Sequence, residues 1–355
     1  MSKSRSTLAA LTLLLATGAG CFGLGGEKAP PPATGGLWLS ENSGSTWTSK
    51  STLPTATGTA SIDGLDILSI EQDPADASTM YVGTKTSGLF YTLDGGESWL
   101  RPEEQLAASG SVIAIEVDPR NVCTYYVLKS DRVIKTTTCG REFDVETYVE
   151  TRTDESLTSM VLDWYNPNTL LIGTTQGDVL RSLDGGATWA ATMHTKGRIA
   201  NIAISNADSR IVLAATSNRG IFRSTDGGAT WVDVTDAIKT FNDAENIYDF
   251  SQTADGSRLL MSSQFGLLSS SDFGLTWAAI PLVTEAGEVT VNAMEVSPDD
   301  QDVMYYSAGN IFYTSTSGGS AWATTNLPST RIASVIHVDE ADATRLLLGV
   351  LAIDD

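Results

Sequence analysis

Short runs of alternating or continuous apolar residues recur along this chain, and none is long enough for a helical domain core. Gly88–Thr92 (Gly-Leu-Phe-Tyr-Thr) and Gly220–Ser224 (Gly-Ile-Phe-Arg-Ser) are typical. Runs of this length bounded by Gly, Asp, Asn and Ser predict β-strands joined by tight turns. A second strand pair precedes each such run. The first is Ile67–Glu71, a turn at Asp73 and Pro74, and Met80–Gly83. Equivalent pairs are Val112–Val117 with Tyr125–Leu128, Ser159–Asp163 with Leu170–Gly173, and Ala200–Ile204 with Ile211–Ala214. They continue as Ile247–Ser251 with Leu259–Met261, Asn292–Val296 with Val303–Tyr306, and Ala333–Val338 with Arg345–Val350.

One eight-residue phrase closes each unit. It reads SENSGSTW (40–47), TLDGGESW (92–99), SLDGGATW (182–189), STDGGATW (224–231) and SSDFGLTW (270–277), with worn copies TTTCGREF (136–143) and STSGGSAW (315–322). The closing aromatics stand 42 to 52 residues apart, which is the size of one four-stranded propeller blade. Within the phrase, the third-position Asp accepts hydrogen bonds inside a hairpin turn, and the fifth-position Gly supplies a positive φ. The expected fold is all-β: a seven-bladed propeller of four-stranded antiparallel blades. The first phrase has no hairpin before it, and the last hairpin has no phrase after it. One blade is therefore expected to pair N-terminal with C-terminal strands, leaving no open edge in the ring.

The phrase S-x-D-x-G-x-T-W is the Asp-box, or BNR repeat. Over residues 36–355 the chain resembles Asp-box propellers: sialidases, xyloglucan hydrolases, the sortilin N-terminal domain and the photosystem II assembly/stability factor. It is most similar to the last two groups. The resemblance implies that Asp94, Asp184, Asp226 and Asp272, with Asn42 as stand-in, are structural turn residues. Trp47, Trp99, Trp189, Trp231, Trp277 and Trp322 complete the boxes. It also implies that function lies on the face opposite the boxes.

The N-terminus changes the picture of where the domain works. Lys3 and Arg5, the apolar run Leu8–Ala16, and Gly18-Ala19-Gly20-Cys21 follow the order of a secretory signal. The junction resembles the bacterial lipobox, with Gly18 where Leu is usual. Residues 1–20 are thus expected to be a signal peptide, and 21–35 a lipidated Cys21 with a Gly/Pro tether. The propeller then occupies 36–355. The expected location is a bacterial membrane surface or periplasm, or otherwise outside the cell. Export permits a disulfide, and the register of the third unit's hairpin sets Cys123 against Thr138 or Cys139. Because Thr138 stands where that box should carry Asp, a Cys123–Cys139 bridge would replace the missing turn cap.

Charge and chemistry then narrow the function. With 43 acidic and 22 basic residues, the net charge of −21 argues against nucleic-acid binding. His194 and His337 lack ligand spacing, and no nucleophile elbow, phosphate loop or dinucleotide fingerprint occurs. No catalytic residue, metal or cofactor is expected. Sialidases carry an R-I-P phrase; here Arg198-Ile199-Ala200 and Arg331-Ile332-Ala333 lack the Pro. Loop acids Glu103, Glu104, Asp236, Asp243, Glu245, Glu285 and Glu288 read as solvated. The candidate ligand-binding set on the loop face is Arg198, Arg331, Arg219, Arg132, Phe241, Asp243, Tyr248 and Phe265. The reading that follows is a non-enzymatic, membrane-anchored scaffold that docks a protein or polysaccharide. A glycoside hydrolase of the Asp-box class is the alternative.

Overall fold

The structure, a computed structural model, describes residues 35–143 and 145–352. The signal, the lipobox with Cys21 and the tether up to residue 34 lie outside the described residues. The strands form the expected propeller. Six four-stranded antiparallel sheets and one three-stranded sheet make the seven blades. The innermost strands follow one another round a closed ring: Ile67–Asp73, Ala114–Val117, Leu157–Leu162, Ile199–Ile204, Ile247–Gln252, Ala293–Val296 and Ile332–Val338. The three-stranded sheet belongs to the first complete unit (Ile67–Asp73, Asp76–Thr84, Leu89–Thr92), where the outermost strand shrinks to a single bridge between Tyr91 and Leu100. The long loop after Thr48 carries its own hairpin, Thr52–Thr55 with Gly58–Ser61.

Ring closure runs as the sequence implies. Leu346–Leu351 pairs on one side with Ile332–Val338 and on the other with Gly36–Ser40, so Trp38 stands opposite Leu348. The closing blade thus takes two inner strands from the C-terminal end and two outer strands from the N-terminal end. Apolar side chains fill the space between blades. Leu37, Leu39, Met80, Trp99 and Leu347, for example, form one buried cluster across the closure.

The Asp-boxes share one geometry. In all seven, the first-position hydroxyl accepts the fifth-position N–H, as Ser224 Oγ does from Gly228 at 2.8 Å. Asp226 Oδ1 accepts the Thr230 N–H at 2.8 Å, and its Oδ2 accepts the Thr230 hydroxyl at 2.6 Å. The fifth-position Gly lies at φ between 76° and 92° in every copy. A side chain at Gly228 would also lie 2.3 Å from Leu171 of the neighbouring blade. The fourth position is left-handed too, even where Ser43, Cys139 and Phe273 occupy it.

Two box details differ from the sequence reading. The third box does not lack a cap: Thr138 Oγ1 accepts the Glu142 N–H at 2.9 Å, as an Asp oxygen does elsewhere. The disulfide joining Cys123 and Cys139 is therefore an addition to a working turn rather than its replacement. Several box Trp residues, in turn, reach beyond their own hairpins, whereas Trp277 donates to the Gly274 carbonyl of its own box. Trp99 donates to the Lys50 carbonyl, Trp189 to the Thr147 carbonyl, and Trp322 to the Pro281 carbonyl, each on the preceding blade. Fourth-position carbonyls add to this link, since Gly185 O accepts from Tyr126 and Phe273 O from Arg223. The boxes that make these bonds are thus clamps between blades as well as turns.

Candidate functional site: the loop face and the central channel

Strand direction sorts the connections onto two faces. The Asp-boxes bond to the first hairpin turns beside them, as Gly227 N–H does to the Arg210 carbonyl and Gly318 N–H to the Asp302 carbonyl. The blade-to-blade loops and the second-to-third-strand turns share the opposite, irregular face.

On that face the loop 232–246 is the best-defined feature. Val232–Asp233 ends one blade, and a 3₁₀ turn over Thr235–Ile238 buries Ile238 beneath it. Asp233 Oδ1 accepts the Thr235 N–H at 2.9 Å where the turn begins, and Ala244 is buried at the far end. The Gln264 N–H donates to the Asn246 carbonyl at 2.9 Å, while the Asn246 amide donates to Gln264 Oε1 at 2.8 Å. These bonds hold the loop against the Gln264-Phe265 turn, so the Phe241 and Phe265 rings meet with centroids 5.2 Å apart at 59°. A cleft of about 540 Å³ opens on the Phe241 side, lined by Asn218, Arg219, Thr235, Asp243 and Glu245 among others. A smaller apolar pocket of about 250 Å³ opens on the Phe265 side.

The remaining candidate residues divide by their partners. Arg331 pairs with Asp66 at 2.6 Å, and Asp66 also takes the Ala352 N–H, so this arginine fastens the ring closure. Arg132 pairs with Asp131 at 2.7 Å and with Glu146. By contrast, Arg198 and Arg219 have no carboxylate partner among the described residues. The stem of Arg219 packs against Gly197, which places it beside Arg198. Partial desolvation with no compensating anion lowers the Arg198 pKa from the usual arginine value. Tyr248 is 41% exposed and sits at a break in the ladder between Ile247 and Asp249. Asp243 is exposed and left-handed at φ 59°.

The central channel holds chemistry that the sequence reading passed over. Glu71, Glu116, Glu295 and His337 face Tyr81, Tyr126, Tyr305 and Leu347 across their hairpins, which is one and the same position of the repeat. Aligning inner strands as closely as the boxes would have exposed this ring. The Glu116 carboxyl accepts the Leu162 N–H of the next blade at 3.1 Å, and Ser251 Oγ accepts the Val296 N–H at 3.0 Å. Asp249, two residues earlier on its strand, accepts from the Asn201 amide and from the Phe250 N–H. Enclosure by the channel walls pushes Glu116 up to about 8 and Asp249 to about 6. It also raises Glu71 and Glu295 well above the usual carboxylate range, with neighbouring acids adding to the shift. His337 falls to about 4 for the same reason of burial. Gln72 Nε2 donates to the Ala77 carbonyl, so Gln72 Oε1 faces His337 Nε2 at 3.2 Å and that nitrogen carries the proton. Two adjoining cavities of about 400 and 550 Å³ share Glu71, Trp164, Gln252 and Glu295 and extend towards Asp299 and Glu340. No group of three or more His, Cys, Asp or Glu among the described residues is arranged to hold a metal.

The profile of the family described as photosynthesis system II assembly factor YCF48 matches residues 126–348. The chain belongs to this family. Searching curated proteins by sequence found no match. Solved structures resemble the fold. YCF48 bound to D1 peptide superposes with a TM-score of 0.61 at 16% identity, covering 86% of this chain and 95% of that one. YCF48 from Cyanidioschyzon merolae gives 0.61 at 13% identity, over 81% and 95%. The GH74 xyloglucanase from Xanthomonas campestris gives 0.65 at 16% identity, covering 81% of this chain. This YCF48-family chain spans about half the length of that xyloglucanase, 51%.

Proposed function

We propose that this protein is a non-enzymatic binding scaffold that holds a segment of a protein partner on its loop face. The observation that carries the reading is the Phe241–Phe265 contact, which divides a polar cleft holding Arg219 from an apolar pocket. Concave sites with an apolar floor and a few placed polar groups are the usual form of a ligand site. Family membership and the D1 peptide held by a relative support a peptide as ligand. Within this proposal the chain is exported and tethered to a bacterial membrane through lipid on Cys21. No described helix is long and apolar enough to cross a membrane.

The hydrolase alternative draws on the GH74 resemblance. It needs two carboxyl groups flanking an open cleft. The channel acid Glu116 is instead engaged in joining blades. A pull-down from a solubilised membrane fraction, run beside a glycan array and a xyloglucan hydrolysis assay, separates the two. Capture of a membrane protein with no glycan binding supports the scaffold. Glycan binding with sugar release and no captured protein overturns it.

A further inference from the structure

The hairpin Thr52–Thr55 with Gly58–Ser61 is a two-stranded sheet that belongs to no blade, and no other blade connection carries one among the described residues. The Ile62 N–H donates to the Ser51 carbonyl at 2.9 Å, which sets the phase of the ladder. Leu53 with Ala60 and Thr55 with Gly58 are then its hydrogen-bonded pairs. Thr52, Pro54, Thr59 and Ser61 therefore turn their backbone groups outward. On the first strand that edge is closed: the Thr52 carbonyl accepts the Trp99 N–H at 2.8 Å, and Pro54 has no N–H to offer. On the second strand it is open. Gly58–Ser61 is exposed throughout, and the outward N–H and C=O groups of Thr59 and Ser61 pair with no other segment. Proteins guard such edges with charged side chains, yet residues 51–62 carry none.

The open edge is complementary to itself. Laid antiparallel across a two-fold axis at Ala60, Thr59 faces Ser61 of a second copy and Ser61 faces its Thr59, each pair exchanging both N–H···O bonds. The two Ala60 residues meet on the axis as a non-hydrogen-bonded pair, the closer kind, where a methyl group fits. Two chains of net charge −21 repel each other, and this uncharged ribbon keeps like charges out of the contact. We infer that Gly58–Ser61 is a self-pairing edge that joins two copies of this chain into a two-fold dimer with a continuous four-stranded ribbon. The inference stands apart from the docking reading, since it needs no other protein.

So small a contact lies below the ~1,200 Å² of stable complexes, so the test traps the dimer covalently. The chain carrying Cys21→Ser, whose other two cysteines are already bridged, receives Ala60→Cys or, as a control at the exposed hairpin tip, Thr57→Cys. In a glutathione redox buffer, Ala60→Cys is expected to form the disulfide-linked dimer at least ~tenfold faster than Thr57→Cys, because the register sets only residue 60 opposite itself. Adding Thr59→Pro removes an outward donor without touching the hairpin's own bonds, and Thr59→Glu keeps the donor but sets like charges near the axis. Each should bring the Ala60→Cys rate down to that of the tip control, with Tm unchanged to show that the propeller is intact. Equal rates at positions 60 and 57 overturn the inference. So does an Ala60→Cys rate that neither change at Thr59 slows. Cross-linking of Ala60→Cys to a protein of a membrane fraction, in place of a second copy, overturns the dimer and assigns the edge to a partner strand.

Discussion

The carboxyl of Glu116 accepts the backbone N–H of Leu162 at 3.1 Å across the gap between two blades. An innermost strand has an edge with no further strand to pair, and this bond satisfies one of its donors from the next blade. Because the channel holds the carboxyl protonated up to about 8, its folded pKa lies above that of the unfolded chain. The folded state then binds the extra proton. Its stabilisation is complete below the ordinary carboxylate pKa and is lost as pH rises through about 8. The denaturation midpoint is expected to fall between pH 5 and pH 9, by at least ~1 kcal/mol in stability. Glu116→Gln keeps an acceptor for Leu162 and cannot ionise, so urea titrations of this variant should show a shallower alkaline slope. An unchanged slope would assign the pH dependence to other groups.

The Asp-box carboxylates respond in the opposite direction. Asp226 is held down at about 2 by the hydroxyl and N–H of Thr230 and by Ser224. A depressed folded pKa means that its contribution is present above the ordinary Asp value and lost as pH falls towards 2. Asp226→Ala should lower Tm and Asp226→Thr should lower it less, because Thr138 already caps the third box with a hydroxyl. Thermal melts at pH 7 rank the two, and equal losses would show that the hydroxyl is no substitute.

Reduction should matter locally. The bridge between Cys123 and Cys139 closes a 16-residue separation, for which a loss of about 3 kcal/mol is expected on removal. Cys139 occupies a left-handed position, φ 56°, that most boxes give to Gly. Cys123→Ser with Cys139→Gly should therefore be less damaging than Cys123→Ser with Cys139→Ser, by ~0.5–1 kcal/mol. Non-reducing peptide mapping and denaturant titrations check the bond and the ranking.

Removing residues 340–355 takes out Leu346–Leu351, which lies between Ile332–Val338 and Gly36–Ser40. With that strand gone, both neighbours lose their pairing and the ring opens. Calorimetry should show no cooperative transition. A truncated protein that melts like the full chain would refute closure by the two termini.

Much of the fold was legible because the Asp-box turn demands specific chemistry at fixed spacing: an acceptor at the third position and Gly at the fifth. What was missed lay where the repeat tolerates variety. The fourth position is as left-handed as the fifth, yet Ser43, Cys139 and Phe273 hide that in the sequence. Glu71, Glu116, Glu295 and His337 share a position on innermost strands that otherwise read as plain apolar runs, so loop acids drew attention instead. Arg331 and Arg198 head similar phrases, but only the first finds a carboxylate, Asp66, contributed from far along the chain. Phe241 and Phe265 were both singled out from the sequence. Their meeting was not, because it depends on bonds between Asn246 and Gln264 that hold a loop against a turn.

The central claim is that a protein partner docks on the loop face, at the paired phenylalanines. Hydrogen–deuterium exchange on the propeller, with and without the partner recovered from the membrane pull-down, tests it most directly. The account predicts protection of residues 232–246, 264–267 and 280–287, lost in Phe241→Ala/Phe265→Ala, with the Asp-box turns unchanged. Protection confined to the Asp-box turns and the channel mouth around Trp164 would contradict it.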